Sequence, residues 1–185
     1  MISIDLGTIE YYDGNKNEFI YDIIGVVDFE YSLKVVYNWE AKWRKPFLKH
    51  VSNGDLTFFE IIDFYVMMAS KPIDSRAITE EVMEVLSNYI SETHTATTFT
   101  TYDEGQNGNN PFSKSKTYTS EELYALMFMN QIPIDFENRN LNRLTTVLRV
   151  ISNYSNPPKK MSPEDIRRQN HELNKQRREQ LKTKG

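Results

Sequence analysis

Between Asp28 and Ile151, apolar residues recur at three- and four-residue intervals in five stretches, and nearly every stretch carries its own start or stop signal. That period belongs to helices with one buried face, so it confines the chain to a mainly α architecture. From Asp28 to His50, residues Phe29, Leu33, Val36, Trp39, Ala41, Trp43 and Phe47 fall near helical spacing, and Pro46 is expected to end or kink the run. Asn53-Gly54-Asp55 reads as a turn. Thr57 and Glu60 then form a capping box, in which threonine accepts from the amide three residues on and glutamate reaches back. Phe58, Ile61, Ile62, Tyr65, Val66 and Met68 give the next helix a broad apolar face up to about Ala69. Thr79-Glu-Glu opens a third helix, its two acids complementing the positive end of the helix dipole. Thr119 with Glu122 makes a second capping box, ahead of Leu123, Leu126, Met127 and Met129. Asn140 is expected to cap a helix through Leu141, Leu144, Val147, Leu148 and Ile151.

Two segments depart from this pattern. The N-terminus reads as strands: Thr8–Tyr12 and Glu18–Ile23 flank a Gly- and Asn-rich turn, a hairpin signature, and Ile2, Ile4 and Leu6 suit a third short strand. Residues 91–119 are rich in Thr, Ser, Gly and Asn, with too little apolar surface to offset their ordering entropy, so a mobile loop is expected there. The expected fold is thus a helical bundle, mainly α with some β. It has an N-terminal β-hairpin region (1–27), a helical body (28–158) holding that loop, and a C-terminal arm (159–185).

The arm reverses the charge of the rest. Lys159 to Gly185 holds nine Lys/Arg and four Asp/Glu, whereas the preceding residues hold 13 basic and 22 acidic side chains. Ser162-Pro163 suits an N-cap followed by proline at the first helical position. With only Ile166, Leu173 and Leu181 as apolar residues, such a helix is marginal alone in water. A basic helical arm on an acidic body fits a protein that engages other macromolecules. Arg167, Arg168, Arg177 and Arg178, with Lys175, suit phosphate contacts; Ile166, Leu173 and Leu181 suit docking as a helix in a groove of an acidic partner protein; or the arm is a solvated tail or the protein's own oligomer contact. The acidic body and the absence of an aromatic from the arm weigh against nucleic acid.

Catalytic signatures are missing. The chain has no cysteine, which excludes disulfides and thiolate chemistry. Its three histidines, His50, His94 and His171, lie far apart and make no ligand pair at helical spacing. There is no Gly-x-Ser-x-Gly elbow, and Gly105 and Gly108 sit in an Asn-rich stretch without the lysine of a phosphate loop. We therefore expect no enzyme, no cofactor and no metal. No apolar stretch approaches a membrane span and no leader pattern opens the chain, so a soluble cytoplasmic protein is expected.

Binding remains the expected activity. Trp39, Trp43 and Phe47 recur every four residues beside Lys42 and Lys45, which suits either a docking face or a core with snorkelling lysines. Met67, Met68, Met83, Met127 and Met129 suit either an adaptable binding surface or ordinary helix core. The candidate partner-binding residues are Trp39, Trp43, Phe47, Met127, Arg167, Arg168, Leu173, Arg177 and Arg178.

Several segments resemble tail-assembly chaperones of long-tailed bacteriophages of Gram-positive hosts. The likeness rests on Trp39-Glu-Ala-Lys-Trp-Arg-Lys-Pro-Phe47, Thr117-Tyr-Thr-Ser-Glu-Glu-Leu-Tyr-Ala125 and Phe136-Glu-Asn-Arg-Asn-Leu-Asn-Arg-Leu144. It continues through Asn156-Pro-Pro-Lys-Lys-Met-Ser162 and Leu173-Asn-Lys-Gln-Arg-Arg178. The resemblance implies a protein of the host cytoplasm, absent from the finished virion, that coats the aggregation-prone tape-measure protein, keeps it soluble and helps recruit tail-tube subunits. In many such phages a ribosomal frameshift appends a second domain. The other reading is a nucleic-acid-associated or regulatory phage protein acting through the basic arm.

Overall fold

The computed structural model describes residues 1–99, 117–155 and 163–181. Most of the expected mobile loop, and the Asn156–Ser162 segment with its proposed N-cap, lie outside the described residues. The fold is mainly α with a small β portion, and the described residues hold seven α-helices.

The β portion is one long antiparallel ribbon with a break in it. Strands β1 (Ile2–Asp5) and β4 (Val26–Phe29) pair at its base, and β2 (Thr8–Asp13) and β3 (Glu18–Ile23) pair at its tip. The register is continuous across both parts: Ile2 faces Phe29, Asp5 faces Val26, Thr8 faces Ile23 and Asp13 faces Glu18. Gly7 and Gly25 sit at the break with φ of +60° and +65°, a left-handed conformation that a Cβ disfavours. The tip hairpin and the strand at Ile2 agree with the pattern in the sequence. Strand β4 does not: Val26–Phe29 pairs with the N-terminus, so the expected helix start at Asp28 is corrected to Leu33 and the β region runs to Phe29. Val27 and Phe29 are fully buried at the ribbon base, and the Ser70 amide donates to the Asp28 carbonyl to tie that base to the end of a helix.

The first helical stretch divides into α1 (Leu33–Trp43) and α2 (Phe47–Asn53). Ser32 caps α1, Arg44 leaves it in a left-handed conformation, and Pro46 precedes α2 because it offers no amide to continue the ladder. α3 (Phe58–Met68) and α5 (Ser120–Met129) begin at the two capping boxes, both formed as the sequence dictates. Thr79 caps α4 (Glu80–Ser91), and the Asn140 side chain accepts from the Asn142 amide at the start of α6 (Leu141–Ser155). The basic helix α7 spans Pro163–Leu181, with proline in its first position.

One core joins these parts. Phe29, Leu33, Val36, Trp39, Phe64, Leu86, Leu123, Met127, Leu144 and Leu148 are all at most 2% exposed. Each such side chain contributes about 1.5–3 kcal/mol through removal from water. Polar groups pin the helices at defined points. Half-buried Glu30 accepts from the Tyr89 hydroxyl (2.6 Å) and the Asn140 amide (3.2 Å), joining the ribbon to α4 and α6. Burial opposes its charge, but these donors and the Met1 amine outweigh burial and hold the carboxyl below its ordinary value.

Glu60 performs two tasks. It closes the α3 capping box through the Thr57 amide (2.8 Å) and holds the Lys45 ammonium at 2.6 Å. The lysine first and the Thr57 amide second depress its carboxyl from 4.5 to about 2, against the opposing effect of burial. A depressed carboxylate stabilises the fold fully above its unfolded value and loses that contribution as pH falls through the folded one. The stability gap between the native chain and Glu60→Gln should therefore narrow as pH drops from about 4.5 to about 2. Thermal melts of both proteins across that window measure it; a gap independent of pH contradicts the assignment.

Candidate partner-binding surface

With the core filled, several large apolar side chains remain outside it. The most coherent group spans α1 and α5. Tyr37 meets Tyr124 edge-on with ring centres 5.5 Å apart, and Tyr124 stacks on Phe128 at 6.4 Å. Tyr37 and Phe128 are 42% and 61% exposed, so the ladder is open to solvent at both ends. Met129, next in the chain, is 79% exposed.

The 3-10 turn Ile134–Asn138 supports this strip. Its Glu137 accepts from the Tyr124 hydroxyl at 2.8 Å and holds Lys34 of α1 at 3.4 Å. Burial first, then the Glu137 carboxylate, raise the Tyr124 hydroxyl well above the ordinary tyrosine value, so it stays a neutral donor. The strip is thus a rigid aromatic surface with a flexible methionine at its end. Rigid aromatics present large contact area at low entropic cost, and methionine adapts to irregular partners. A second exposed pair, Phe58 and Phe59 at the start of α3, lies with ring centres 6.2 Å apart. Between α2, α3 and α4 a groove of about 240 Å³ is walled by Phe47, Leu56, Phe64 and Ile90, with Val51 at its edge.

Among the described residues no group of three or more His, Asp or Glu side chains is placed to hold a metal ion. Among them, too, no helix is long and apolar enough to cross a membrane.

The chain matches no family model, no curated protein and no solved structure. The surface must be judged on its own geometry.

The structure separates the candidate residues drawn from the sequence into two groups. Trp39, Phe47 and Met127 are interior, at 0%, 4% and 0% exposure, which corrects any reading of them as a docking face. Trp39 and Phe47 do share a face, with ring centres 5.0 Å apart, but that face points inward. The Trp39 indole N–H donates to the Glu60 carbonyl at 2.9 Å. Trp43 is half-buried, and its indole donates to the Asp63 carboxylate, which also binds Lys42. Lys42 and Lys45 thus hold acids of α3. Of the five methionines considered, Met68 and Met127 are buried and Met67 and Met83 partly so, leaving Met129 alone among them on the surface.

Arg167, Arg168, Leu173, Arg177 and Arg178 are all exposed on α7. The Leu181 side chain lies outside the described residues. Sequence reasoning missed Tyr37, Tyr124 and Phe128. The signal was present in α5, where Leu123, Tyr124, Leu126, Met127, Phe128 and Met129 circle the whole helix, more apolar surface than one core-facing side can hide.

Proposed function

We propose that the chain is a non-enzymatic tail-assembly chaperone of a long-tailed bacteriophage, acting in the host cytoplasm. It binds the tape-measure protein, keeps it soluble and helps recruit tail-tube subunits. The observation that carries this reading is the solvent-exposed ladder Tyr37–Tyr124–Phe128, extended by Met129, on a body whose core is already filled. Contiguous apolar surface of this kind marks a site for another macromolecule. A tape-measure protein is a long helical chain with exposed apolar stripes, and an aromatic strip beside a pliable thioether suits such stripes without demanding one sequence. The resemblance of Thr117–Ala125 and Phe136–Leu144 to such chaperones falls on the two segments that build the strip and its support.

The exposed arginines of α7 favour a second reading, contact with nucleic acid. Salt separates the two. Co-expression with a tape-measure protein, followed by pull-down, should yield a soluble complex that survives high salt, because apolar burial is not screened. Absence of that complex, with nucleic acid co-purifying at low salt and leaving at high salt, would move the function to the arm.

A further inference from the structure

We propose that the groove between α2, α3 and α4 binds a small, uncharged, largely apolar molecule through an acceptor oxygen such as that of a ketone or an amide. The groove lies apart from the aromatic strip on α1 and α5, so this inference stands independently of the tape-measure reading.

The groove has an aromatic, close-packed floor. Phe64 stacks on Phe47 with ring centres 4.0 Å apart and meets Tyr31 edge-on at 6.0 Å. Leu56, Ile61 and Ile90 add the aliphatic part of the lining. An apolar cavity of about 150 Å³ is enough to take benzene. At about 240 Å³ this groove has room for such a ring and a short substituent.

Two tyrosines interrupt the apolar lining. Tyr31 and Tyr65 are 5% and 7% exposed, and both line the groove. Among the described residues no acceptor serves the Tyr31 hydroxyl. A phenol buried so deeply ordinarily finds a partner, and the groove is the side from which one reaches it. Burial raises the Tyr31 hydroxyl above the ordinary tyrosine value, and it raises Tyr65 too, against a smaller opposing influence of the neighbouring Ser87 hydroxyl. Both tyrosines therefore stay protonated and able to donate.

The lining also selects against other occupants. Among the described residues that form it there is no Lys, Arg, Asp or Glu, and its one imidazole, His50, is held by Asp55 at 2.7 Å. An ion would enter without a counter-charge, and desolvation would oppose it. A wholly apolar occupant, such as a leucine or phenylalanine side chain of a partner, would seal the Tyr31 hydroxyl away from any acceptor and incur the cost of an unmade hydrogen bond. An uncharged molecule with one acceptor oxygen avoids both penalties.

The test titrates the purified, isotope-labelled chain with three molecules of similar shape, followed by amide NMR shifts. Acetophenone carries the acceptor oxygen, cumene lacks it, and benzoate adds a charge. Acetophenone should give saturable shifts centred on Val51, Leu56 and Ile90, and should bind roughly tenfold more tightly than cumene or benzoate, the effect of one buried hydrogen bond. Tyr31→Phe should remove most of that preference. Because the hydroxyl has no acceptor in the chain, the same variant should melt at the native temperature or above it. Absence of acetophenone binding, shifts centred elsewhere, or cumene or benzoate bound as tightly would overturn the proposal. So would a preference for acetophenone that survives Tyr31→Phe, or a clearly lower melting temperature for that variant, which would mean that the hydroxyl is already satisfied.

Discussion

Trp39→Ala is expected to lower the unfolding free energy by about 3–5 kcal/mol, the loss typical of a large aromatic removed from a core. The side chain is wholly buried, packs against Phe47 and Trp43, and satisfies the Glu60 carbonyl through its indole N–H. Truncation leaves a cavity and removes that hydrogen bond. Against a total stability of about 5–15 kcal/mol for a domain, that is a large fraction. The equivalent change at Trp43, half-buried with its indole on the Asp63 carboxylate, should cost clearly less. Urea denaturation of both variants measures the difference. Equal losses would mean that the burial contrast does not govern this face of α1.

Glu40→Ala should rival that loss without removing any apolar contact from the core. Glu40 is 6% exposed, and its two carboxylate oxygens join three helices. One accepts from the Phe47 amide at the start of α2 (2.7 Å). The other accepts from the Ser120 amide at the start of α5 (2.8 Å) and from the Ser120 hydroxyl. The first amides of a helix have no partner within it, so Glu40 answers a need that both helices share. Removing it strands buried donors at about 1–3 kcal/mol each, and about 3–5 kcal/mol in all is expected. Glu40→Gln keeps the shape but offers one oxygen and turns an N–H toward a donor, so it should rescue less than half. Denaturation curves supply the totals. Amide exchange should accelerate at Phe47 and Ser120 together, and acceleration at one alone contradicts the shared role.

Legibility followed the distance between partners. The capping boxes at Thr57/Glu60 and Thr119/Glu122 and the tip hairpin were readable because every partner lies within a few residues. Strand β4 was not readable, because its partner is the N-terminus and because Phe29, Leu33 and Val36 mimic a helical stripe. Glu40 showed nothing in the sequence of its tie to Ser120, which is 80 residues away. The aromatic residues from Trp39 to Phe47 share a side, as their spacing required, but spacing does not state whether that side faces core or solvent. The arm was legible as exposed, since its thin apolar line cannot bury a face. The aromatic strip was hidden because Tyr37 and Tyr124 meet only in three dimensions.

In the proposed function, the aromatic strip Tyr37–Tyr124–Phe128 is what a helical partner meets. The most direct measurement is the soluble fraction of the tape-measure protein when co-expressed with the native chain and with Phe128→Ser/Met129→Ser. Both positions are exposed, so the variant should keep its own stability. The account predicts soluble tape-measure protein with the native chain and most of it in the pellet with the variant. Equal solubility with both chains, or none with either, would contradict it.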